Sequence, residues 1–202
     1  MDLERRHFPG ADGVSLRAME DDGQRKLVGT FAPFRSRSQL LGGQFYEIIE
    51  PGAFDAVLGD DVRALFNHDP NNLLGRSTNG TLRMWTEDDG ARYEVDLDET
   101  DVAERVLAGV RRRDITGNSF AFQLSGDEAD EEWRSEGGVM IRRIKRFSRL
   151  LDVGPVTYPA YEATQVSARS LEMASDHTGV DVRKLWKRHW NLVRRQRMLD
   201  TR

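Results

Sequence analysis

Most apolar residues of this chain fall into short runs that are separated by glycine, proline or acidic residues. Runs of roughly four to eight residues with this spacing are typical of β-strands. They predict strands at 27–34, 45–49, 62–68 and 150–156. The third run ends on His68, so the pattern places a histidine at the end of a buried strand.

Two other segments carry strong local signals. Residues 82–86 and 92–97 flank an Asp-Gly pair, and such a pair between alternating runs predicts an antiparallel hairpin. Residues 101–112 predict an amphipathic helix, with Thr100 or Asp98 as its N-cap. The apolar positions of this helix are Val102, Val106, Leu107 and Val110.

Residues 115–124 predict a further strand with two different faces. Its large apolar residues lie on one face, and its small or polar residues, including Ser119, lie on the other. Residues 51–58 predict a short helix, because a proline stands at the start and a glycine follows the end.

We expect one domain with an extension at each end. Residues 1–25 predict a loose lead-in with one short strand at 14–18, and residues 26–168 predict the domain. Residues 169–202 predict a linker and a basic helical tail. The many short strands and few helices predict a mainly β fold with peripheral helices, arranged as a small closed or nearly closed β-barrel.

The composition excludes several kinds of chemistry. The chain has no cysteine, which excludes disulfides, thiolate metal sites and a cysteine nucleophile. No apolar run is long enough to cross a bilayer or to form a signal peptide, so we expect a soluble intracellular protein. No pair of histidines within 26–168 has metal-ligand spacing, which argues against a metal hydrolase, and no cofactor is expected.

The charge is unevenly distributed along the chain. The formal net charge of −4 argues against a general nucleic-acid-binding protein. The tail, however, carries eight Lys or Arg residues between Arg183 and Arg202. We prefer a packaging or targeting role for this tail over contact with nucleic-acid phosphates, and a solvated helix that only packs on a partner is a further alternative.

Two polar residues are candidates for hydrolytic chemistry. His68 is the only histidine that follows an apolar strand, and an imidazole is the natural general base for a hydroxyl nucleophile. Ser119 follows the Gly117-Asn118 pair, and its neighbour on the same face of the strand is Ala121. The glycine and this small neighbour leave room for a substrate and for backbone N–H groups that bind an oxyanion. The simpler interpretations are a polar strand-end residue for His68 and a turn residue for Ser119.

Asp152 is unusual because it lies between Leu151 and Val153 inside an apolar strand. An unpaired carboxylate in that position costs several kcal/mol, so it needs a partner. The partner is either Arg142 or Arg143, or it is a histidine imidazole that the carboxylate orients. Periodicity alone does not choose between these alternatives.

Three segments carry a family resemblance through their combination and order: Leu-Phe-Asn-His-Asp-Pro at 65–70, Gly-Asn-Ser-Phe-Ala-Phe at 117–122, and Leu-Leu-Asp-Val-Gly-Pro-Val-Thr-Tyr-Pro-Ala at 150–160. Together they resemble the caudoviral prohead protease family. Residues 29–32 and 50–54 match further landmarks, so the resemblance spans about residues 26–168.

The resemblance implies roles for three residues. It implies that His68 is the catalytic base, Ser119 the nucleophile and Asp152 the third member of a triad. Many relatives have glutamate at the position of Asp152 and serine at the position of Gly154, so the sequence departs from the family pattern there. Binding of an oxyanion is expected from backbone N–H groups near the nucleophile or in residues 154–157.

The resemblance also implies an activity and a place of action. The implied activity is a serine endopeptidase that cleaves the scaffolding segment of a major capsid protein, and itself, inside the assembling prohead in the host cytoplasm. A homodimer and a fold like that of herpesvirus assemblin are implied as well. The alternative is a catalytically silent scaffold module that binds capsid protein through the same fold and the basic tail.

Overall fold

A computed structural model of the protein describes residues 3–8, 15–21, 23–41, 44–137 and 139–158. The described residues form twelve strands and one α-helix, α1 (Asp101–Arg112). The mainly β character predicted from the sequence is therefore confirmed. The strands are β1 (Glu4–Phe8), β2 (Leu16–Asp21), β3 (Gln24–Pro33), β4 (Phe45–Ile49), β5 (Arg63–Leu65), β6 (Leu73–Arg76), β7 (Leu82–Glu87), β8 (Gly90–Asp96), β9 (Gly117–Gln123), β10 (Glu131–Glu136), β11 (Val139–Ile144) and β12 (Arg149–Val156).

The strands pair into three sheets. The five-stranded sheet has the order β1-β9-β12-β5-β6, the three-stranded sheet has the order β10-β11-β4, and the four-stranded sheet has the order β2-β3-β8-β7. The pairs β12–β5 and β11–β4 are parallel, and the other pairs are antiparallel. No closed barrel is found among these strand pairings, so that part of the sequence prediction is not supported.

The hairpin and the long helix lie where the sequence predicts them. Strands β7 and β8 pair antiparallel across the Asp-Gly turn. Helix α1 begins after Thr100, whose side chain accepts a hydrogen bond from the N–H of Ala103. Val106, Leu107 and Val110 lie on the buried face of α1. No helix in the described ranges has both the length and the apolar character needed to cross a membrane.

The helix predicted at 51–58 is wrong, because the structure has successive turns there. Gly52 has a φ of +87°, in the left-handed region, which interrupts a right-handed helix near its start. The backbone N–H of Val57 bonds to the carbonyl of Phe54, and other short-range bonds replace a regular helical ladder. The segment is held instead by Ala53, Phe54 and Val57, which are buried in the core.

The predicted lead-in 1–25 contains two strands that belong to the sheets. β1 pairs with β9, and β2 pairs with β3. The prediction of a loose lead-in therefore missed β1 and placed β2 only approximately. The linker and basic tail predicted at 169–202 lie outside the described residues.

A cluster of phenylalanine rings fixes the central strand β9. Phe120 is fully buried and contacts four other rings at centroid distances between 5.1 and 5.7 Å. These rings belong to Phe31, Phe54, Phe122 and Phe147. Full burial of one such side chain contributes about 1.5–3 kcal/mol, so this face of β9 is firmly held and the opposite face is presented at a fixed position.

Candidate active site

The structure brings the three candidate residues into one hydrogen-bonded chain. Nε2 of His68 lies 2.5 Å from Oγ of Ser119, and Nδ1 of His68 lies 2.5 Å from Oδ1 of Asp152. These residues are separated by 51 and 84 positions in the sequence, so only the fold places them together. A hydroxyl, an imidazole and a carboxylate in this order match the arrangement that activates a serine for nucleophilic attack.

Side chains alternate along β9, so Ser119 and Ala121 lie on the same face of the five-stranded sheet. This face is called the catalytic face below. Phe120 and Phe122 point into the core, so the intervening side chains point away from it. Ser119 is fully buried. The strand prediction for this segment, with Ser119 opposite to the phenylalanines, is confirmed.

A β-bulge turns Asp152 onto the catalytic face. Leu150 pairs with Phe122 and Asp152 pairs with Ala121, so Leu151 is an extra residue in β12. Without the bulge, Asp152 would follow Leu150 into the core, because side chains alternate along a strand. The bulge reverses this alternation, as bulges commonly do beside active sites, and brings the carboxylate to His68.

The structure also decides between the two partners predicted for Asp152. Its partner is the imidazole of His68. Arg142 pairs with buried glutamates elsewhere, and Arg143 pairs with Glu50 at 2.7 Å. The alternative of a structural ion pair between Asp152 and one of these arginines is therefore wrong.

The His68 ring is carried by a tight 3₁₀ turn at Phe66–His68. Asn67 and His68 have φ angles of 57° and 56°, in the left-handed region that non-glycine residues enter only at a free-energy cost. The Asn67 side chain ties this turn to the end of β12, because its Oδ1 accepts from the N–H of Thr157 at 2.8 Å and its Nδ2 donates to Oγ1 of Thr157 at 3.1 Å. These bonds tie the turn that carries the base to the end of the strand that carries Asp152.

Oγ of Ser119 lies close to two acceptors. It is 2.5 Å from Nε2 of His68 and 2.8 Å from the main-chain oxygen of Arg6. Its single proton is donated to only one of them at a time. When Nδ1 of His68 donates to Asp152, the lone pair of Nε2 faces Ser119, and this is the tautomer that a general base requires.

Comparison with known proteins decides the family. The sequence model described as caudovirus prohead serine protease matches residues 13–177, which is most of the chain. The chain belongs to the caudovirus prohead serine protease family. No curated protein is significantly similar in sequence. The solved structure of the bacteriophage T4 capsid assembly protease aligns with a TM-score of 0.46 at 12% identity, covering 78% of this chain and 98% of that one.

Family membership has a direct meaning for the site. The family consists of serine proteases of tailed-phage proheads, so the chain is assigned to serine protease chemistry in capsid maturation. No group of three or more His, Asp or Glu residues within the described part of the chain is arranged to hold a metal ion.

Gly154 is one of the two departures from the resembled pattern noted above, and the structure leaves no room for a side chain there. Gly154 lies opposite Ser119 in the β12–β9 pair. A Cβ atom at this position would lie 2.1 Å from the carbonyl oxygen of Leu65 and 3.1 Å from its nitrogen. Leu65 directly precedes the turn that carries His68, so this close backbone approach sets the distance between the base and β12.

We expect Gly154→Ala to lower the rate of peptide cleavage by about 10- to 100-fold, because the backbone at Leu65 must shift and misplacement by about 1 Å is enough for such a loss. The measurement is kcat, with thermal unfolding as a check of folding. Gly59→Ala is the matched control, since a Cβ there meets no heavy atom within 4 Å. A wild-type kcat in Gly154→Ala would contradict this account.

Sequence reasoning missed the contribution of β1 to the site. His7 lies directly opposite Ser119, and its ring lies edge-to-face with that of His68 at a centroid distance of 5.4 Å. Burial, reinforced by the nearby His68, lowers the pKa of His7 to about 4, so this ring is neutral at pH 7. The sequence signal was weak, because His7 stands among charged residues instead of following an apolar run.

A buried ion cluster holds β1 from the opposite face. Arg6 makes a two-bond contact with Glu47, at 2.6 and 2.7 Å, and also bonds to Glu4. Arg142 joins Glu4 and Glu47 to Glu131, which accepts a bond at 2.6 Å. Burial alone lowers the pKa of Arg6, but the charges and hydrogen bonds of Glu47 and Glu4 outweigh it and raise the pKa above its usual value. The cluster therefore joins β1 to the three-stranded sheet.

Proposed function

We propose that this chain is an endopeptidase of the prohead in which Ser119 is the nucleophile, His68 the general base and Asp152 the carboxylate that orients the base. One observation carries the proposal: one nitrogen of His68 lies 2.5 Å from the Ser119 hydroxyl while the other lies 2.5 Å from Asp152. Membership of a serine protease family supports the same assignment.

The proposed reaction begins with transfer of the Ser119 proton to Nε2 of His68 as Oγ attacks the scissile carbonyl carbon. Asp152 stabilises the imidazolium that forms, because its carboxylate accepts the proton of Nδ1. His68 then donates its proton to the leaving amine, which leaves an acyl-enzyme on Ser119. Attack by a water molecule, again assisted by His68, releases the acid product.

The structure leaves fewer candidate N–H donors for the oxyanion than the sequence suggested. Within residues 154–157, Pro155 has no N–H group, and the N–H of Thr157 already donates to Asn67. Gly154 and Val156 have N–H groups in this segment, but both residues pair with β9, and the residues around Ser119 pair with β12 and β1. A donor among them must therefore be an N–H group that the strand ladders leave free. Donors of this kind contribute about 2.7–4 kcal/mol each to transition-state stabilisation.

The proposed substrate is the scaffolding segment of a phage-type major capsid protein. The family description, which places these proteases in caudovirus proheads, supports this choice. The same proposal includes self-cleavage within 163–178 and a homodimeric active form. It also includes action inside the prohead in the host cytoplasm and a packaging role for the basic tail. Neither a cofactor nor nucleic acid takes part in the proposed reaction.

The test is co-expression of the chain with the major capsid protein encoded by the same genome. We expect wild type to yield a shortened capsid protein, and Ser119→Ala to leave it at full length. Ser36→Ala, which removes a serine from the loop before β4, is the control and should cleave like wild type. Mass spectrometry of the purified chain reports self-cleavage in the same cells. Full-length capsid protein with the wild-type chain, or shortened capsid protein with Ser119→Ala, would refute the proposal.

A further inference from the structure

His7 faces the general base from a strand that the proposed chemistry does not use. The β1–β9 register pairs His7 with Ser119 and Arg6 with Phe120. Directly paired residues of antiparallel strands share a face, so His7 lies on the catalytic face while Arg6 lies on the core face. The rings of His7 and His68 have an interplanar angle of 78°, a geometry that aromatic pairs prefer.

The His68 ring needs support from the side of β1. Its backbone has a left-handed φ angle, and Asn67 anchors the turn only to Thr157 at the end of β12. The hydrogen bonds to Ser119 and Asp152 lie in the plane of the ring, because they are made by its two nitrogens. A ring packed against His68 from β1 restricts rotation of that plane.

Strand β1 is a rigid support for the contact between His7 and His68. On its core face, the carboxylates and guanidinium groups of the buried ion cluster bond Arg6 and Glu4 to β4 and β11. Displacement of β1 would separate these buried charges, which is strongly unfavourable. His7 is therefore held at a fixed position relative to β9.

His7 contacts His68 through its ring and not through a hydrogen bond of its Nδ1. That nitrogen is buried and has no hydrogen-bond partner among the described residues. The charged or titratable groups around the ring are Arg5 and Arg6 on β1, His68 on the 3₁₀ turn and Asp152 on β12. Burial keeps the ring neutral at pH 7, so it adds no positive charge beside a base that must accept a proton.

We propose that His7 is a positioning residue that holds the His68 ring in the plane in which one nitrogen meets Ser119 and the other meets Asp152. The catalytic importance of this role rests on the proposed function, but the orientation of the ring is measurable without any substrate.

The structural test is the NMR signal of the proton on Nδ1 of His68, because its short hydrogen bond to Asp152 moves that signal far downfield. Wild type is compared with His7→Phe, which keeps an aromatic edge, and with His7→Ala and His7→Leu, which remove it. We expect the signal in wild type and His7→Phe, and its loss in the other two variants. His7→Leu fills the same space, so it decides the matter if His7→Ala does not fold.

Kinetics with purified capsid protein as substrate give the second measurement. We expect His7→Ala and His7→Leu to lower kcat by about 10-fold or more with little change in KM, and His7→Phe to restore most of it. Met19→Ala, at an exposed position of β2, is the control.

Two kinds of result separate this inference from the proposed function. A downfield signal that survives in His7→Leu, or that is lost in His7→Phe, would overturn the positioning role. The expected NMR pattern in a wild-type protein that cleaves no capsid protein would refute the proposed function and leave the positioning role intact.

Discussion

Replacement of His68 by alanine is expected to lower kcat for capsid-protein cleavage by about 10⁶-fold, and the further replacement Ser119→Ala is expected to add almost nothing. Both side chains act in a single proton transfer, because Nε2 of His68 receives the proton that Oγ of Ser119 gives up. Once either partner is missing, the other has no role in the step. Independent contributions would instead multiply to about 10¹²-fold.

The measurement is kcat for the two single variants and the double variant, with purified capsid protein as substrate. His189→Ala is the matched control, since it removes an imidazole from the predicted tail and should retain the wild-type rate. A His68→Ala variant that keeps more than about 1% of the wild-type kcat would exclude His68 as the general base. A double variant far slower than both single variants would show that the two residues do not act together.

The residues of the candidate triad were predictable from the sequence, and the family resemblance implied that they meet, but the sequence did not show how the fold brings them together. His68 was marked by the apolar run before it, and Ser119 by the small residues around it. What brings them together is strand order, because β12 lies between β9 and β5. The bulge at Leu151 was also invisible to periodicity, which places Asp152 on the same face as Leu150.

β1 was missed because hydropathy treats charged residues as exposed. Glu4 and Arg6 are buried, and they are stabilised by partners from β4 and β11 that lie far away in the sequence. β10 begins with Glu131 and was missed for the same reason, since this carboxylate binds Arg142. The number of short strands correctly indicated a mainly β fold. This number does not specify which strands pair, and for that reason the predicted barrel is not found among the described strands.

We expect Arg142→Met to lower the free energy of unfolding by about 3–5 kcal/mol. Arg142 is 1% exposed and bonds to three glutamates, which are Glu4, Glu47 and Glu131. Methionine fills much of the space but leaves these buried carboxylates with fewer positive partners. The measurement is urea-induced unfolding, and an unchanged dependence on urea concentration would show that the variant still folds to the same compact state.

The neighbouring residue supplies a sharp control. Arg143 lies on the same strand, but its side chain is 30% exposed and pairs with Glu50 and Glu136. We expect Arg143→Met to cost about 1 kcal/mol or less, because water solvates the freed carboxylates. Equal losses of unfolding free energy in the two variants would mean that a buried ion pair in this cluster stabilises the protein no more than an exposed one. A large loss for Arg142→Met alone would show that the buried ion cluster, which bonds β1 to the three-stranded sheet, stabilises the fold.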